Sequence, residues 1–186
     1  MKTSALVPII VASVLIAALI VVLAVTSSVP SVPFPVDVVS TWVDGTDADW
    51  LAQKQAAYQE LVAGMSPAET AGVAYNPMRD PEPIVPGQRD ELFYSAHSIA
   101  KFMPWVRRYY LVTMRPHKPS WWPASGRMGK VQFVLIHHDE IAGGPASKLP
   151  TFNSIAIQTF LPNIPDLAEH FVLFDDDCDV DDRVPG

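Results

Sequence analysis

The sequence predicts an α/β fold in which a parallel or mixed β-sheet is flanked by helices. Short apolar runs rich in β-branched residues alternate with segments whose apolar residues recur at helical spacing, which is typical of α/β domains. The last apolar run predicts a buried strand over residues 171–174, followed by Asp175, Asp176 and Asp177. Ligands of open α/β sheets bind outside the carboxyl ends of the strands, so these acids mark a candidate site. An ordinary acidic turn is the alternative.

The N-terminal residues are predicted to lie outside the folded domain. Residues 5–25 carry no charge and are mostly aliphatic, long enough for one membrane-spanning helix. A cleaved signal peptide is the competing interpretation. Lys2 is the only nearby charge and places residues 1–4 in the cytosol, so the remainder would face a secretory lumen or the cell exterior. Residues 26–35 contain three prolines and predict an extended stem.

The folded domain is predicted to begin with a strand, a helix and a loop. Residues 36–43 are mostly apolar and rich in valine, and they stop at the turn signal of Asp44 and Gly45, which predicts a buried strand. Residues 49–62 have apolar side chains at helical spacing and predict a helix. Residues 63–87 contain five prolines and predict a long surface loop.

The second half of the domain alternates between the two kinds of element. Residues 88–103 predict the most regular helix, because its apolar side chains share one face and a proline follows. Residues 108–113 and 130–136 predict strands joined by a loop rich in proline and tryptophan. Residues 153–160 predict a short helix before the last strand.

The charge balance limits the classes of function. The chain has 13 basic and 20 acidic residues and a formal net charge of −7, which argues against a nucleic-acid partner. An acidic protein suits the recruitment of a divalent cation to handle an anionic substrate. Cys178 is the only cysteine, which excludes an intramolecular disulfide and a thiolate metal cluster.

Polar and aromatic side chains at the end of the first predicted strand form one candidate binding edge. Thr41, Trp42 and Asp44 precede or enter a glycine turn, where an aromatic face, a carboxylate and backbone N–H groups come together. Such an edge suits a nucleotide base and ribose. A packed tryptophan beside an ordinary turn is the alternative.

Two helix starts offer groups that suit an anion. Asp90 complements the positive end of the helix dipole, whereas Arg89 is unexpected there and suits a phosphate clamp; solvated surface charge is the alternative. Asn153 and Ser154 open the short helix and either cap it or hydrogen-bond a phosphate or sugar hydroxyl. Residues 137–140, His-His-Asp-Glu, offer metal ligands or a base, although a polar turn is the preferred interpretation.

Several of these segments together resemble one protein family. Residues 37–47, which read Asp-Val-Val-Ser-Thr-Trp-Val-Asp-Gly-Thr-Asp, resemble the first conserved region of the Stealth family. Residues 89–92, 98–113, 149–154 and 175–177 resemble its second conserved region, in the right order. The family includes bacterial capsule hexose-1-phosphate transferases and the Golgi N-acetylglucosamine-1-phosphotransferase that tags lysosomal enzymes. The resemblance implies a Rossmann-like sheet.

The resemblance also implies an activity and residue roles. A sugar 1-phosphate would pass from a UDP-sugar donor to a glycan hydroxyl with release of UMP, assisted by Mg²⁺ or Mn²⁺. Asp176 and Asp177 would hold the metal, or one would orient the acceptor hydroxyl as a base, and Arg89 would clamp phosphate. The substrate-binding residues would be Thr41, Trp42, Asp44, Asp90, Asn153 and Ser154.

Two alternatives stay open at this stage. A metal-dependent glycosyltransferase would break the anomeric bond instead. The family continues into third and fourth conserved regions, so residues 36–186 are expected to be a C-terminally truncated catalytic domain. An inactive anchored domain that binds a glycan or assembles with a partner subunit is therefore the second alternative. We expect a single-pass type II membrane protein of the Golgi or secretory lumen in a eukaryote, and of the cell envelope otherwise.

Overall fold

A computed structural model describes residues 32–72, 91–143 and 149–181. The predicted membrane span and most of the stem lie outside the described residues, as do Arg89 and Asp90. Within the described ranges, no helix is long and apolar enough to cross a membrane.

The described elements follow the predicted order. The first half of the chain contains β1 (Val36–Trp42), α1 (Ala48–Val62), α2 (Pro67–Gly72), α3 (Glu91–Phe102) and β2 (Arg108–Thr113). The second half contains β3 (Arg127–Met128), β4 (Val131–His137), α4 (His138–Ile141), α5 (Ser154–Gln158), a 3₁₀ turn (Leu161–Asn163) and β5 (His170–Phe174).

The strands form one mixed five-stranded sheet with the order β3-β4-β2-β1-β5. Strands β4, β2, β1 and β5 are parallel, and only the two-residue β3 is antiparallel to its neighbour. The four parallel strands therefore deliver their carboxyl ends to the same edge. This arrangement confirms the predicted mixed α/β sheet flanked by helices.

Each face of the sheet is covered by helices. On one face, Leu92, Ala96 and Ile99 of α3 pack against Val38 and Leu111 of the central strands. These three helical residues occupy one stripe at the spacing of an amphipathic helix. On the other face, Val39, Tyr110, Val112 and Ile136 pack against Ile141 of α4 and Ile157 of α5. The short helices after β4 and before β5 thus lie next to the carboxyl edge.

The loop predicted over residues 63–87 contains a helix, so that prediction was wrong in part. Pro67 is the first residue of α2, where its missing N–H costs nothing. The N–H and hydroxyl of Ser66 donate to Glu69 Oε2 at 2.8 and 2.7 Å, and the N–H of Glu69 reaches Ser66 Oγ at 3.4 Å. This reciprocal capping box starts a helix that the count of prolines had obscured.

The last strand is not buried, which corrects a second prediction. β5 is an edge strand that pairs only with β1. Phe171, Val172 and Leu173 remain 38%, 38% and 39% exposed. The apolar composition of β5 predicted burial, but the strand lies at the edge of the described sheet, where solvent reaches its side chains.

The amino edge of the sheet is held together by a buried carboxylate. Asp37 of β1 is fully buried and accepts hydrogen bonds from Arg107 Nε and Nη2 at 2.9 and 2.5 Å. It also accepts from the backbone N–H of Arg108 at 3.1 Å and of Ala168 at 2.8 Å. One side chain therefore joins the starts of β1 and β2 to the segment that enters β5.

Candidate active site

A pocket of about 330 Å³ opens at the carboxyl edge of the sheet. Its walls come from the end of β1, the first turn of α1, the start of α4, the segment around α5, and the turn after β5. The lining residues are Thr41, Trp42, Val43, Trp50, His138, Thr151, Phe152, Ser154, Ile157, Gln158, Asp175 and Asp176. This is where ligands of open α/β sheets bind.

The turn after β1 is fixed by its own hydrogen bonds. Asp44 Oδ1 accepts from the N–H and hydroxyl of Thr46 at 2.9 and 2.6 Å, and the N–H of Asp44 donates to Nδ1 of the buried His117 at 3.1 Å. Asp47 caps α1 by accepting from Trp50 N–H at 2.7 Å, and this bond is the main cause that lowers the pKa of Asp47. The turn therefore presents Trp42 and Trp50 in fixed positions.

Aromatic rings form part of the pocket wall. Trp50 meets Phe152 edge-on with their ring centroids 5.8 Å apart, and both residues line the pocket. Trp42, which also lines the pocket, lies edge-on to His117 with the ring centroids 6.2 Å apart. Aromatic rings offer flat apolar faces and prefer stacked or edge-to-face contacts with other rings, which suits a planar ligand group such as a base.

The chain turns immediately after β5. Neighbouring residues of a strand point to opposite faces of the sheet, so Asp175 and Asp176 can face the same pocket only if the strand has ended. Strand pairing ends at Phe174, and the N–H of Cys178 donates to the carbonyl of Asp175 at 3.2 Å. Asp175 and Asp176 both line the pocket. Burial raises the pKa of Asp176 above its ordinary value, and the carboxylates of Asp177, Glu91 and Asp175 add to the rise. The turn thus concentrates negative charge at one end of the pocket.

The donor set at this turn fits Mg²⁺ or Mn²⁺. Across residues 32–72, 91–143 and 149–181, no three His, Cys, Asp or Glu side chains form a group able to hold a metal alone. Mg²⁺ is usually bound by one or two carboxylates together with water and substrate phosphates. The adjacent carboxylates of Asp175 and Asp176 meet that requirement and lack a paired cation among the described ion pairs.

Asn153 and Ser154 have different environments at the start of α5. Asn153 Oδ1 accepts from the N–H groups of Ile155 and Ala156 at 2.9 and 3.3 Å, so its side chain caps the helix. Ser154 lines the pocket. The capping bonds hold Ser154 in place beside the pocket.

Of the four polar residues 137–140, three hold the end of β4 against the next helix and one lines the pocket. Glu140 Oε1 receives the His137 N–H at 3.1 Å and lies 2.9 Å from His137 Nδ1. Arg115 pairs with Asp139 at 3.3 Å and with Glu140 at 3.1 Å. His138 is only 5% exposed and lines the pocket. Residues 138–141 form the helix α4, where a polar turn was predicted.

Burial sets the protonation state of His138. Its pKa is lowered from 6.5 to about 4, mainly because burial desolvates the ring, with a smaller contribution from the neighbouring His137. The imidazole is therefore neutral at physiological pH.

The depressed pKa of His138 predicts a stability change with pH. An unfolded histidine binds a proton below about pH 6.5, whereas His138 in the folded chain binds one only near pH 4. Protonation therefore favours the unfolded state between these values, and stability should fall by roughly 2–3 kcal/mol as the pH drops across that window. Urea unfolding of the full chain at pH 7, 5.5 and 4.5 measures this loss.

A His138→Phe variant is the control for that experiment, because other groups also titrate at low pH. It should lose less stability than the unaltered chain between pH 6.5 and 4. Parallel pH profiles for the two proteins would contradict the assignment.

The structure brings together part of the predicted set of site residues. Those that line the pocket are Thr41, Trp42, Ser154 and Asp176. Asp44, Asn153 and Asp177 are each adjacent in sequence to a lining residue but are not among the lining residues themselves. Arg89 and Asp90 lie outside the described residues.

Sequence reasoning did not assign Trp50, Phe152 or Gln158 to the site. One feature of the sequence could have pointed to Trp50 and Phe152 as pocket residues: each is an aromatic residue close to a predicted helix start.

The fold and the pocket define an α/β protein with a pocket at the carboxyl ends of its parallel strands. The model of the first conserved region of Stealth proteins matches residues 34–59, and the model of the second conserved region matches residues 87–185. The chain belongs to the Stealth family.

Curated relatives support this membership. A capsular polysaccharide phosphotransferase of Neisseria meningitidis serogroup B is 40% identical over 144 residues, which cover 77% of this chain and 34% of the relative. An Actinobacillus pleuropneumoniae capsular polysaccharide phosphotransferase is 39% identical over 142 residues, covering 76% and 34%. An exopolysaccharide phosphotransferase of Streptomyces coelicolor is 39% identical over 144 residues, covering 77% and 21%. The chain spans about a third or less of the length of these relatives.

Proposed function

We propose that this chain carries the donor-binding part of a sugar-phosphate transferase that acts on a glycan. The donor is a UDP-sugar, and a hexose or N-acetylhexosamine 1-phosphate passes to a hydroxyl of the glycan acceptor with release of UMP. The names of its relatives, which are phosphotransferases of capsular or exported polysaccharides, support this class of reaction.

One observation carries the proposal. Residues of the first conserved region, Thr41 and Trp42, and residues of the second, Ser154 and Asp176, line the same pocket although they are far apart in sequence. The aromatic wall suits the uridine, and the acidic turn suits a cation bound to the diphosphate.

The reaction joins an acceptor oxygen to the β-phosphorus of the donor and breaks the bond between that phosphorus and the oxygen of the departing UMP. The acceptor hydroxyl would lose its proton to the carboxylate of Asp176 or Asp177, two residues that follow β5. A divalent cation, when bound, neutralises charge on the diphosphate. The residues of the chain hold the donor, orient the acceptor hydroxyl and exclude water.

Membrane attachment belongs to the same proposal. Residues 5–25 would anchor the chain as a single-pass type II protein, with residues 36–186 in the Golgi or secretory lumen, or outside the membrane of a prokaryote. The acidic composition argues against a nucleic-acid partner.

The proposal predicts release of UMP that depends on a divalent cation. The full chain, incubated with UDP-N-acetylglucosamine and a glycan acceptor, should release UMP in the presence of Mg²⁺ or Mn²⁺ and lose this activity with EDTA. Release of UDP instead would indicate an ordinary glycosyltransferase. Metal-dependent binding of the donor without any product would indicate an inactive binding domain.

A further inference from the structure

His138 is a buried side chain with one ring nitrogen that has no partner within the described chain. Its Nε2 is buried and has no hydrogen-bond partner. A buried donor or acceptor without a partner costs about 1–3 kcal/mol, so this atom calls for an explanation. The residue lines the pocket and is only 5% exposed.

The neighbours of His138 hold it in place rather than bond to it. Glu140 contacts the ring of His137. Arg115 forms ion pairs with both Asp139 and Glu140. This network fixes the turn between β4 and α4. His138 is thus held in place beside the pocket, with its Nε2 unpaired.

The order of the strands places His138 far from the acidic turn. His138 follows β4, whereas Asp176 follows β5, and β2 and β1 lie between those two strands. Three strand intervals separate the two residues by roughly 14 Å. A diphosphate with its cation at Asp176 would leave another part of the donor at the His138 end.

We propose that His138 hydrogen-bonds the nucleoside of the donor and thereby determines the affinity for uridine. The inference rests on the proposed function and assigns a partner to a residue of that same pocket. A buried neutral imidazole suits an uncharged base or ribose better than a phosphate, which would favour a charged partner.

The test separates the two ends of the donor with two probes, UMP and N-acetylglucosamine 1-phosphate. Calorimetry on the full chain with Mg²⁺ should show UMP binding weakened about tenfold or more in His138→Phe, the loss of one buried hydrogen bond. Binding of N-acetylglucosamine 1-phosphate should be unchanged. His138→Gln, whose amide can hydrogen-bond near the position of Nε2, should restore part of the UMP affinity. His170→Phe, at the amino edge, is the matched control and should bind both probes normally.

Stability distinguishes a ligand contact from a packing role. Because His138→Phe removes an unsatisfied buried polar atom, its melting temperature at pH 7.5 should be equal to or above that of the unaltered chain. Unchanged UMP affinity in His138→Phe would overturn the inference. So would equal loss of both probes with a lowered melting temperature, because His138 would then serve the fold. If the unaltered chain binds neither probe, the proposed donor itself is wrong, and the inference falls with it.

Discussion

Replacing Asp37 with asparagine should lower the free energy of unfolding by about 3 kcal/mol. The carboxylate of Asp37 is fully buried and receives hydrogen bonds from Arg107, Arg108 and Ala168. Asparagine keeps the shape but turns an NH₂ group toward some of these donors and leaves Arg107 without its counter-ion. Urea unfolding of the full chain at pH 7.5 measures the change.

Asp139→Asn is the control, because it removes a carboxylate of the same size from an exposed ion pair. Asp139 and its partner Arg115 are each 55% exposed, so the expected loss is below about 1 kcal/mol. Similar losses in the two variants would show that Asp37 contributes no more than a surface charge.

The second large effect concerns the acidic turn, where Asp176→Asn should reduce metal-dependent UMP release by about 100-fold or more. Asp176 lines the pocket, and under the proposed function removal of its charge weakens binding of the cation. The variant should fold with equal or slightly higher stability, because repulsion from Asp175 and Asp177 is relieved. UMP release and the melting temperature are measured on the same preparation.

Asp179→Asn provides the comparison, since Asp179 is an exposed acid just beyond the turn. It should keep its activity within about twofold of the unaltered chain, the size of a minor surface effect. If Asp176→Asn and Asp179→Asn are equally active, the acids form a general acidic surface, and the proposed metal site fails.

Much of the sheet was predictable because the parallel strands carry continuous apolar runs. Residues 36–43 and 108–113 were predicted as strands, and the structure has Val36–Trp42 and Arg108–Thr113. The two-residue β3 has too short a pattern for any periodicity. The exposure of β5 depends on strand order, which no local pattern encodes.

The site was predictable only where chemistry follows directly from a strand end. Trp42 and Asp176 lie there, and both line the pocket. Trp50 and Phe152 come from a helix and a loop, so their arrival at the same pocket depends on packing over long sequence distances. Asp37 belongs to the motif that carries the family resemblance, yet its contacts lie at the amino edge, away from the pocket. Only the folded structure shows that Asp37 holds the amino edge of the sheet together, whereas Trp42 lines the pocket.

The strand that leads to Asp175 and Asp176 is also an edge strand of the sheet. β5 has a neighbour on one side only, so its backbone hydrogens should exchange with solvent sooner than those of β2, which lies between two strands. If β5 separates from β1, both acids leave the pocket, while Trp42 stays with the central strands. A ligand that spans the pocket holds these parts together, so occupancy of the site and protection of this edge from exchange rise and fall together.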